Sequence, residues 1–266
     1  MEVHHHSHTE TPAGRGGKKL THYLWEFLML FLAVFCGFLA ENFREHRVDR
    51  NREKEYMRSM IEDLKEDTAN CHRVISQNTA IIRGLDSLIL FLSQSPHDQN
   101  SVNLLYAYCI KYRYYNPEVH FSERTMSQLK NNGGLRLVKK REVSDELSAY
   151  DEGIRFCDRQ RDQALHYYQL LDENELNIFD FAPVKTLWDS LSKTDVLLVP
   201  IETMVQYLDR KAHLRASDAA LLSKYMNAII YDQVAIATYN TDLFDQGNKA
   251  NSLVKLIQKQ YGLTEE

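Results

Sequence analysis

Glycine and proline are scarce in this chain, with 10 and 5 copies among 266 residues. Both residues interrupt regular structure, so their scarcity favours long helices over sheets and tight turns. The four cysteines, Cys36, Cys71, Cys109 and Cys157, are widely spaced and form no Cys-x-x-Cys pair. This spacing matches neither a disulfide framework nor a zinc site, and we expect the last three to be buried free thiols.

An excess of basic residues is also missing, because 32 lysines and arginines face 37 aspartates and glutamates, giving a net charge of −5. A negative balance gives the chain no global basic character, which predicts that nucleic acid is not a partner. The length allows one or two domains, and the chain beyond residue 40 is long enough to bury a sizeable core.

Sequence motifs of catalytic and cofactor sites are missing as well. The chain has no His-Glu-x-x-His, no Gly-x-Ser-x-Gly, no Walker loop and no helical Glu-x-x-His pair. The paired glycines Gly133 and Gly134 follow a predicted helix and favour a helix end over a phosphate loop. The acidic residues between Asp172 and Glu175 are typical of a solvated helix surface. We therefore predict no enzyme, cofactor or metal site, with an enzyme assembled from scattered residues as the alternative.

The most informative feature that is present is the apolar run Tyr23–Ala40, in which Glu26 is the only charged residue. A helix of about 17–25 apolar residues crosses the hydrocarbon layer, and Trp25 suits the headgroup level at one end. A cleaved signal peptide has a shorter apolar region and a small-residue cleavage site, and apolar residues on every face argue against a core helix that packs on a soluble neighbour on one side only. We therefore predict an uncleaved transmembrane helix over residues 21–41.

Three residues in this run are candidate membrane-embedded or oligomer contacts. Glu26 lies near one end of the run. Its carboxylate, in one alternative, reaches the interface or pairs with His22 or Lys19, and in the other it forms an interhelical or ion-pathway site. The first alternative is favoured because Glu26 lies at a shallow depth in the predicted span. Ala33 and Gly37 form a track of small residues that permits close approach of a second helix.

The residues on either side of the predicted span differ in character. Residues 1–20 are polar and rich in histidine and glycine, which predicts a disordered tail. Its histidines hold a metal only loosely if at all, because a disordered segment has no fixed coordination geometry, and a flexible tail or tag remnant is favoured. Residues 42–266 are predicted to form a stalk and a helical bundle domain.

A seven-residue repeat follows the span and predicts one long stalk helix that ends near Ser93. Asn78 occupies a core position of this repeat, where a polar side chain fixes register or partner number, or meets a local polar contact. The repeat contains Met57, Leu64, Cys71, Asn78, Leu85 and Leu92.

Further helices are predicted from apolar periodicity and capping residues. Ser122 is the expected N-cap of the third one, and the last one has a possible interruption at Gln246–Asn248. These helices cover Val102–Tyr115, Glu123–Lys130, residues 139–178, Val184–Leu191, Pro200–Arg210 and the segment after Asp218. The predicted fold is all-α, with one transmembrane helix that continues into the stalk and an elongated antiparallel helical bundle.

The segment Lys111–Tyr115 alternates basic residues with tyrosines. One interpretation is a contact patch for an anionic or polymeric partner. The favoured alternative is a set of tyrosines half-buried between helices, with the basic side chains reaching solvent, because five residues are too few to define a site.

Several motifs resemble a family of uncharacterised single-span inner-membrane proteins of Bacteroidota. The resemblance covers about a third of the chain and implies an envelope protein, without implying an activity, cofactor or catalytic residue. The motifs are Trp25-Glu26-Phe27, Gly37–Asn42, Arg52–Tyr56, Glu62–Asp67 and the later segment Ser122–Leu137.

These observations predict a membrane-anchored structural or interaction protein of the bacterial cell envelope. Its expected partners are the lipid bilayer and either further copies of the chain or another envelope protein. A short N-terminal tail with Lys18 and Lys19 beside the span favours a periplasmic C-terminal domain, although a strict count of flanking basic residues favours the opposite side. An extracytoplasmic sensor or ligand-binding domain is the alternative, and a pocket with convergent polar groups would favour it.

Overall fold

The computed structural model describes residues 16–94, 98–131, 133–191, 194–208 and 212–263. This part of the chain is helical apart from short connections, and its β-type pairing is a single bridge between Phe179 and Leu214. The α-helices are α1 (Gly16–Ser93), α2 (Gln99–Tyr108), α3 (Arg124–Asn131), α4 (Arg141–Ile178), α5 (Lys185–Leu191), α6 (Ile201–Leu208) and α7 (Ala219–Tyr261). A π-helix at Cys109–Arg113 and 3₁₀ turns at Gly134–Arg136, Ala182–Val184 and Val196–Leu198 complete the set. The all-α prediction is confirmed.

The chain divides into two compact units between Glu53 and Lys54. The predicted boundary lay at residue 41, at the end of the apolar run. Helix α1 begins at Gly16, so residues 16–20 of the predicted disordered tail are helical. The rest of that tail, with its histidines, lies outside the described residues.

The first unit contains the apolar run. Among the described residues, one helix is long and apolar enough to cross a membrane, with a mean hydropathy of 2.0 in its most apolar window and no buried residue there. The side chains of Phe27 and Met29 are 66% and 63% exposed, although their two-residue spacing places them on opposite faces of the helix. Exposed apolar area of this extent marks a surface that another apolar phase covers.

The second unit has three apolar clusters along its length, each built from α1, α4 and α7. In chain order along α1, the clusters contain Leu64 with Leu147 and Leu253, then Cys71 with Cys157 and Leu243, then Leu88 with Leu171 and Leu222. Residue numbers rise along α1 and α4 and fall along α7. Helix α7 therefore runs antiparallel to the other two, and residues 99–138 return the chain from the end of α1 to the start of α4.

The predicted heptad stripe of α1 is buried, since its six residues are at most 4% exposed. The clusters above cover it with helices of the same chain. Because the stripe is already covered, it provides no argument for a second copy, and the predicted oligomer stays a prediction.

Capping residues mark both ends of the last helix. Asp218 precedes α7 and accepts a hydrogen bond from the Leu221 amide at 3.0 Å, and Gly262 ends α7 with a positive φ of 59°. The predicted interruption at Gln246–Asn248 is wrong, because α7 continues through it. A Cβ at Gly247 would lie 3.6 Å from the Cβ of Cys71, an ordinary contact distance, so α7 packs directly against α1 at this point.

Candidate functional site

A concentration of buried polar side chains lies in the π-helix that ends α2. Turns of this kind are rare and occur frequently at functional sites. Cys109 and Arg113 both contact Glu175 of α4, whereas Tyr112 lies against Gly84 of α1. A Cβ at Gly84 would lie 2.2 Å from the Tyr112 ring, so only glycine permits this approach. We call the group Cys109, Arg113, Glu175, Tyr225 and Asp232 the polar centre.

Arg113 is the cation of the polar centre, and its side chain is fully buried. Its Nε lies 2.9 Å from Oε1 of Glu175 as an ion pair without a directed hydrogen bond. Its Nη2 donates to the Tyr168 carbonyl oxygen at 2.5 Å and to Oδ1 of Asp172 at 2.9 Å. The guanidinium carbon lies 3.8 Å from the centroid of the Tyr168 ring.

The favoured prediction for Lys111–Tyr115 is therefore only partly confirmed. The tyrosines of the segment are half-buried, as expected, but both basic side chains are buried. Lys111 donates to the carbonyl oxygen of Val199, and Arg113 faces the carboxylates of α4. The expectation that these cations reach solvent is wrong, because interior acceptors offset their loss of hydration.

Glu175 is the fully buried anion of the polar centre. Its Oε1 accepts a hydrogen bond from the Tyr225 hydroxyl at 2.6 Å. Burial raises the pKa of Glu175, and the Arg113 guanidinium opposes that rise. Burial, followed by the nearby Glu175 carboxylate, raises the pKa of the Cys109 thiol well above its ordinary value. A thiol held protonated in this way is a poor nucleophile.

Asp232 of α7 faces Arg113 across a cavity of about 30 Å³, which Asn78 and Tyr168 also line. Burial raises the pKa of Asp232 to about 6, and the Arg113 guanidinium opposes the rise. Among the described residues, Nη1 of Arg113 has no hydrogen-bond partner. A cavity of this size holds about one water molecule and is far smaller than sites for organic ligands. The polar centre therefore suits a structural role better than a catalytic one.

A second polar cluster joins the α1 carboxylates Asp63 and Asp67 to the start of α3. Asp63 accepts the Thr125 amide at 3.0 Å and pairs with the Arg124 side chain. Asp67 accepts the Ser122 amide at 2.6 Å and the hydroxyl of Tyr150 at 2.7 Å. Carboxylates at a helix N-terminus satisfy its free amides and its dipole.

This cluster corrects the predicted Ser122 cap, because the capping carboxylates come from another helix. It also brings together two of the motifs on which the resemblance rests, Glu62–Asp67 and Ser122–Leu137. Burial raises the pKa of Asp67 to about 6 despite the two hydrogen bonds that it accepts. The motif residues at these positions therefore hold α3 against α1.

The predicted candidate residues do not form a common site. Glu26 is exposed, with its Oε1 3.8 Å from Nε2 of His22, and its role in a membrane stays a prediction. Ala33 and Gly37 are exposed, and a Cβ at Gly37 would meet nothing within 4 Å. Asn78 shows the local alternative, since its amide donates to Oδ1 of Asn240 at 2.8 Å. Because Asn78 is buried, it does not support an oligomer contact.

Sequence reasoning missed Glu175 and Asp232, and the expectation of a solvated surface is wrong for Glu175. A usable signal exists, because both residues interrupt an apolar stripe. Glu175 lies between Leu171 and Ile178, and Asp232 lies three residues after the buried Ile229. A charged residue in such a position is buried with its helix face. In the described part of the chain, no group of three or more His, Cys, Asp or Glu side chains is arranged to hold a metal ion.

Comparison of the chain with protein-family models, characterised proteins and solved structures finds no match. Any function therefore follows from the fold and its side chains alone.

Proposed function

We propose that this chain is a membrane-anchored structural or interaction protein of the bacterial cell envelope, with a single pass through the inner membrane and no enzymatic activity. One observation carries the proposal: the apolar run is exposed on every face, whereas the second unit completes its core with its own helices. A bilayer covers such a run at a favourable free energy because each buried apolar side chain contributes about 1.5–3 kcal/mol.

The interior of the second unit supports a scaffold role. Its buried Arg113 pairs with Glu175 of another helix, and its polar centre leaves space for about one water molecule. Networks of this kind fix helix positions, and they offer no activated nucleophile. The partner in this proposal is a second copy or another envelope protein, and the exposed small residues Ala33 and Gly37 are the surface that permits close helix contact.

Anchoring is tested by washing membranes that contain the full chain with alkaline carbonate. The wild type stays in the membrane, and Leu28→Arg/Leu32→Arg releases it, because each arginine in the middle of a span costs about 2.5–3.5 kcal/mol on insertion scales. The matched control is Leu198→Arg, at a leucine 78% exposed in the second unit, which stays bound. Release of the intact wild type would overturn the proposal.

Topology and partners need separate measurements. The proposed periplasmic location of the C-terminal unit predicts that alkaline phosphatase fused at Glu266 is active and that a fused green fluorescent protein is dark. The reverse pattern would place this unit in the cytoplasm. Crosslinking in native membranes is expected to give a dimer or a mixed complex, and a monomer alone would contradict the interaction role.

A ligand-binding domain is the second candidate function, and a surface groove between α4 and α7 favours it. The groove has a volume of about 330 Å³, within the range of small-molecule sites, and its lining contains no charged residue. Tyrosine rings and glutamine amides in such a groove suit a neutral ligand. The lining includes Gln160, Gln163, Tyr167, Tyr231, Val234 and Thr238.

Ligand-observed NMR with a library of neutral compounds tests this candidate on the detergent-solubilised chain. Binders that lose affinity with Tyr231→Ala, but keep it with Tyr207→Ala at another exposed tyrosine, would support it. A screen without such binders would leave the scaffold role as the better account.

A further inference from the structure

The part of α1 that follows the apolar run separates its charges onto different faces. One face carries three arginines and a histidine and no carboxylate; it consists of Ala40, Phe43, Arg44, His46, Arg47, Arg50 and Asn51. We call it the basic face. The carboxylates Glu41, Glu45 and Asp49 recur every four residues and therefore share another face, which Arg52 continues.

Two arginines of the basic face are available for a partner. Arg44 is held by Glu41, with hydrogen bonds of 2.9 and 2.5 Å to the two carboxylate oxygens. Arg47 and Arg50 are exposed, and within the described residues neither forms an ion pair. They are three residues apart, so their like charges are neighbours on the helix and repel each other. An anion between them would relieve that repulsion.

The position of these arginines selects the kind of anion. Arg47 lies seven residues beyond Ala40, which is about 10 Å along a helix. Side chains of a helix point back towards its N-terminus, which directs the Arg47 and Arg50 guanidinium groups towards the end of the apolar run. The ring of Phe43 is exposed one turn earlier, where it suits the boundary between headgroups and acyl chains. Guanidinium groups bind phosphate oxygens in a bidentate manner.

We propose that Arg47 and Arg50 bind the headgroup phosphate of an anionic phospholipid in the leaflet where the apolar run ends, with Phe43 against the acyl chains. This inference rests on the proposed membrane anchoring. The basic face thus fixes the depth and rotation of α1 in the bilayer, and the acidic face turns away from the lipid.

The test uses the full chain in phosphatidylcholine vesicles that contain spin-labelled phosphatidylglycerol or spin-labelled phosphatidylcholine. Electron spin resonance gives the relative association of each lipid with the protein. The wild type prefers phosphatidylglycerol, and Arg47→Gln lowers this preference up to about fivefold, the scale expected for one basic residue near an anionic surface. The double variant Arg47→Gln/Arg50→Gln has little preference left.

Arg52→Gln is the matched control, because it removes the same charge from the acidic face of the same helix. It keeps the wild-type preference. An equal loss of lipid preference with Arg52→Gln would show that net charge alone sets the preference. No loss with the double variant would show that Arg47 and Arg50 do not contribute to it. Either result would overturn the inference.

Two further arms separate the alternatives. Inorganic phosphate, compared with chloride at equal ionic strength, leaves the lipid preference unchanged; if phosphate alone abolishes it, the basic face takes a soluble anion and the inference is wrong. Flotation of the vesicles is measured first. A chain that does not float with them overturns the anchoring and this inference together, whereas a chain that floats without lipid preference overturns this inference only.

Discussion

The two parts of helix α1 contain the same apolar residue types, but different surroundings cover them. In the apolar run, leucine, phenylalanine and valine occupy every face and are exposed. From Met57 onward, apolar residues follow a 3.5-residue period and are buried by helices of the same chain. The comparison teaches that the distribution of apolar residues around a helix, more than their number, decides whether lipid or protein covers them.

Charged residues extend the comparison, because Arg47 of the first unit is exposed whereas Arg113 of the second unit is buried. Arg113→Leu leaves Glu175 and Asp232 buried without their cation, and we expect it to lower the free energy of unfolding by about 3–5 kcal/mol. Arg47→Leu, in the first unit, is the matched control and changes it by less than about 0.5 kcal/mol. Urea unfolding of the detergent-solubilised chain, followed by circular dichroism at 222 nm, measures both. Similar values for the two variants would break the comparison.

Leucine gives the next largest contrast. Leu64→Ala opens a cavity in the first apolar cluster and is expected to lower the free energy of unfolding of the second unit by about 2–4 kcal/mol. Leu30→Ala removes the same atoms from the apolar run, so it should leave this unfolding transition unchanged and the chain in the membrane. The same denaturation experiment, combined with carbonate washing, separates the two effects. A loss of stability of the second unit in Leu30→Ala would contradict the conclusion that lipid covers the apolar run and protein covers the stripe of the second unit.

Glycine tests close packing in the two parts of α1. Gly84→Ala would place a methyl group 2.2 Å from the Tyr112 ring, and displacing that ring is expected to cost about 1–3 kcal/mol of stability. Gly37→Ala meets nothing within 4 Å in the single chain, so its stability is unchanged. If the small-residue track is an interface, Gly37→Ala lowers the yield of crosslinked dimer. An unchanged yield would remove the track from the proposed contact surface.

The sequence predicted what depends on local pattern. Apolar periodicity placed the long helices and the buried stripe of α1, and Asp218 marked the start of α7. The sequence did not predict contacts that depend on a residue distant in the chain. The caps of α3 come from Asp63 and Asp67, about sixty residues earlier, and no neighbouring residue reveals them. Glu175 lies in a run of acidic residues that is typical of a surface, and its buried cation, Arg113, comes from the π-helix, which is distant in the sequence.

Asp232 gives a pH-dependent contrast of smaller size. Because burial raises its pKa to about 6 from 3.8, the folded chain binds more protons than the unfolded chain between about pH 4 and 6. The free energy of unfolding therefore falls as the pH rises through this window, by at most about 1.4 kcal/mol per pH unit for one carboxyl group. Asp67, whose pKa burial also raises to about 6, contributes in the same direction.

Asp232 is the better of the two carboxyl groups to substitute, because Asp67→Asn would also disturb the hydrogen bonds from the Ser122 amide and the Tyr150 hydroxyl. Asp232 faces Arg113 and Glu175, and neither of these leaves its place when the carboxyl becomes an amide of the same shape. Asp232→Asn is therefore expected to flatten the decline in melting temperature between pH 4 and 6, while Glu45→Gln, at an exposed position of the first unit, keeps the wild-type slope. An unchanged slope in Asp232→Asn would show that this carboxyl is ionised throughout the window, and that Arg113 outweighs burial at the polar centre.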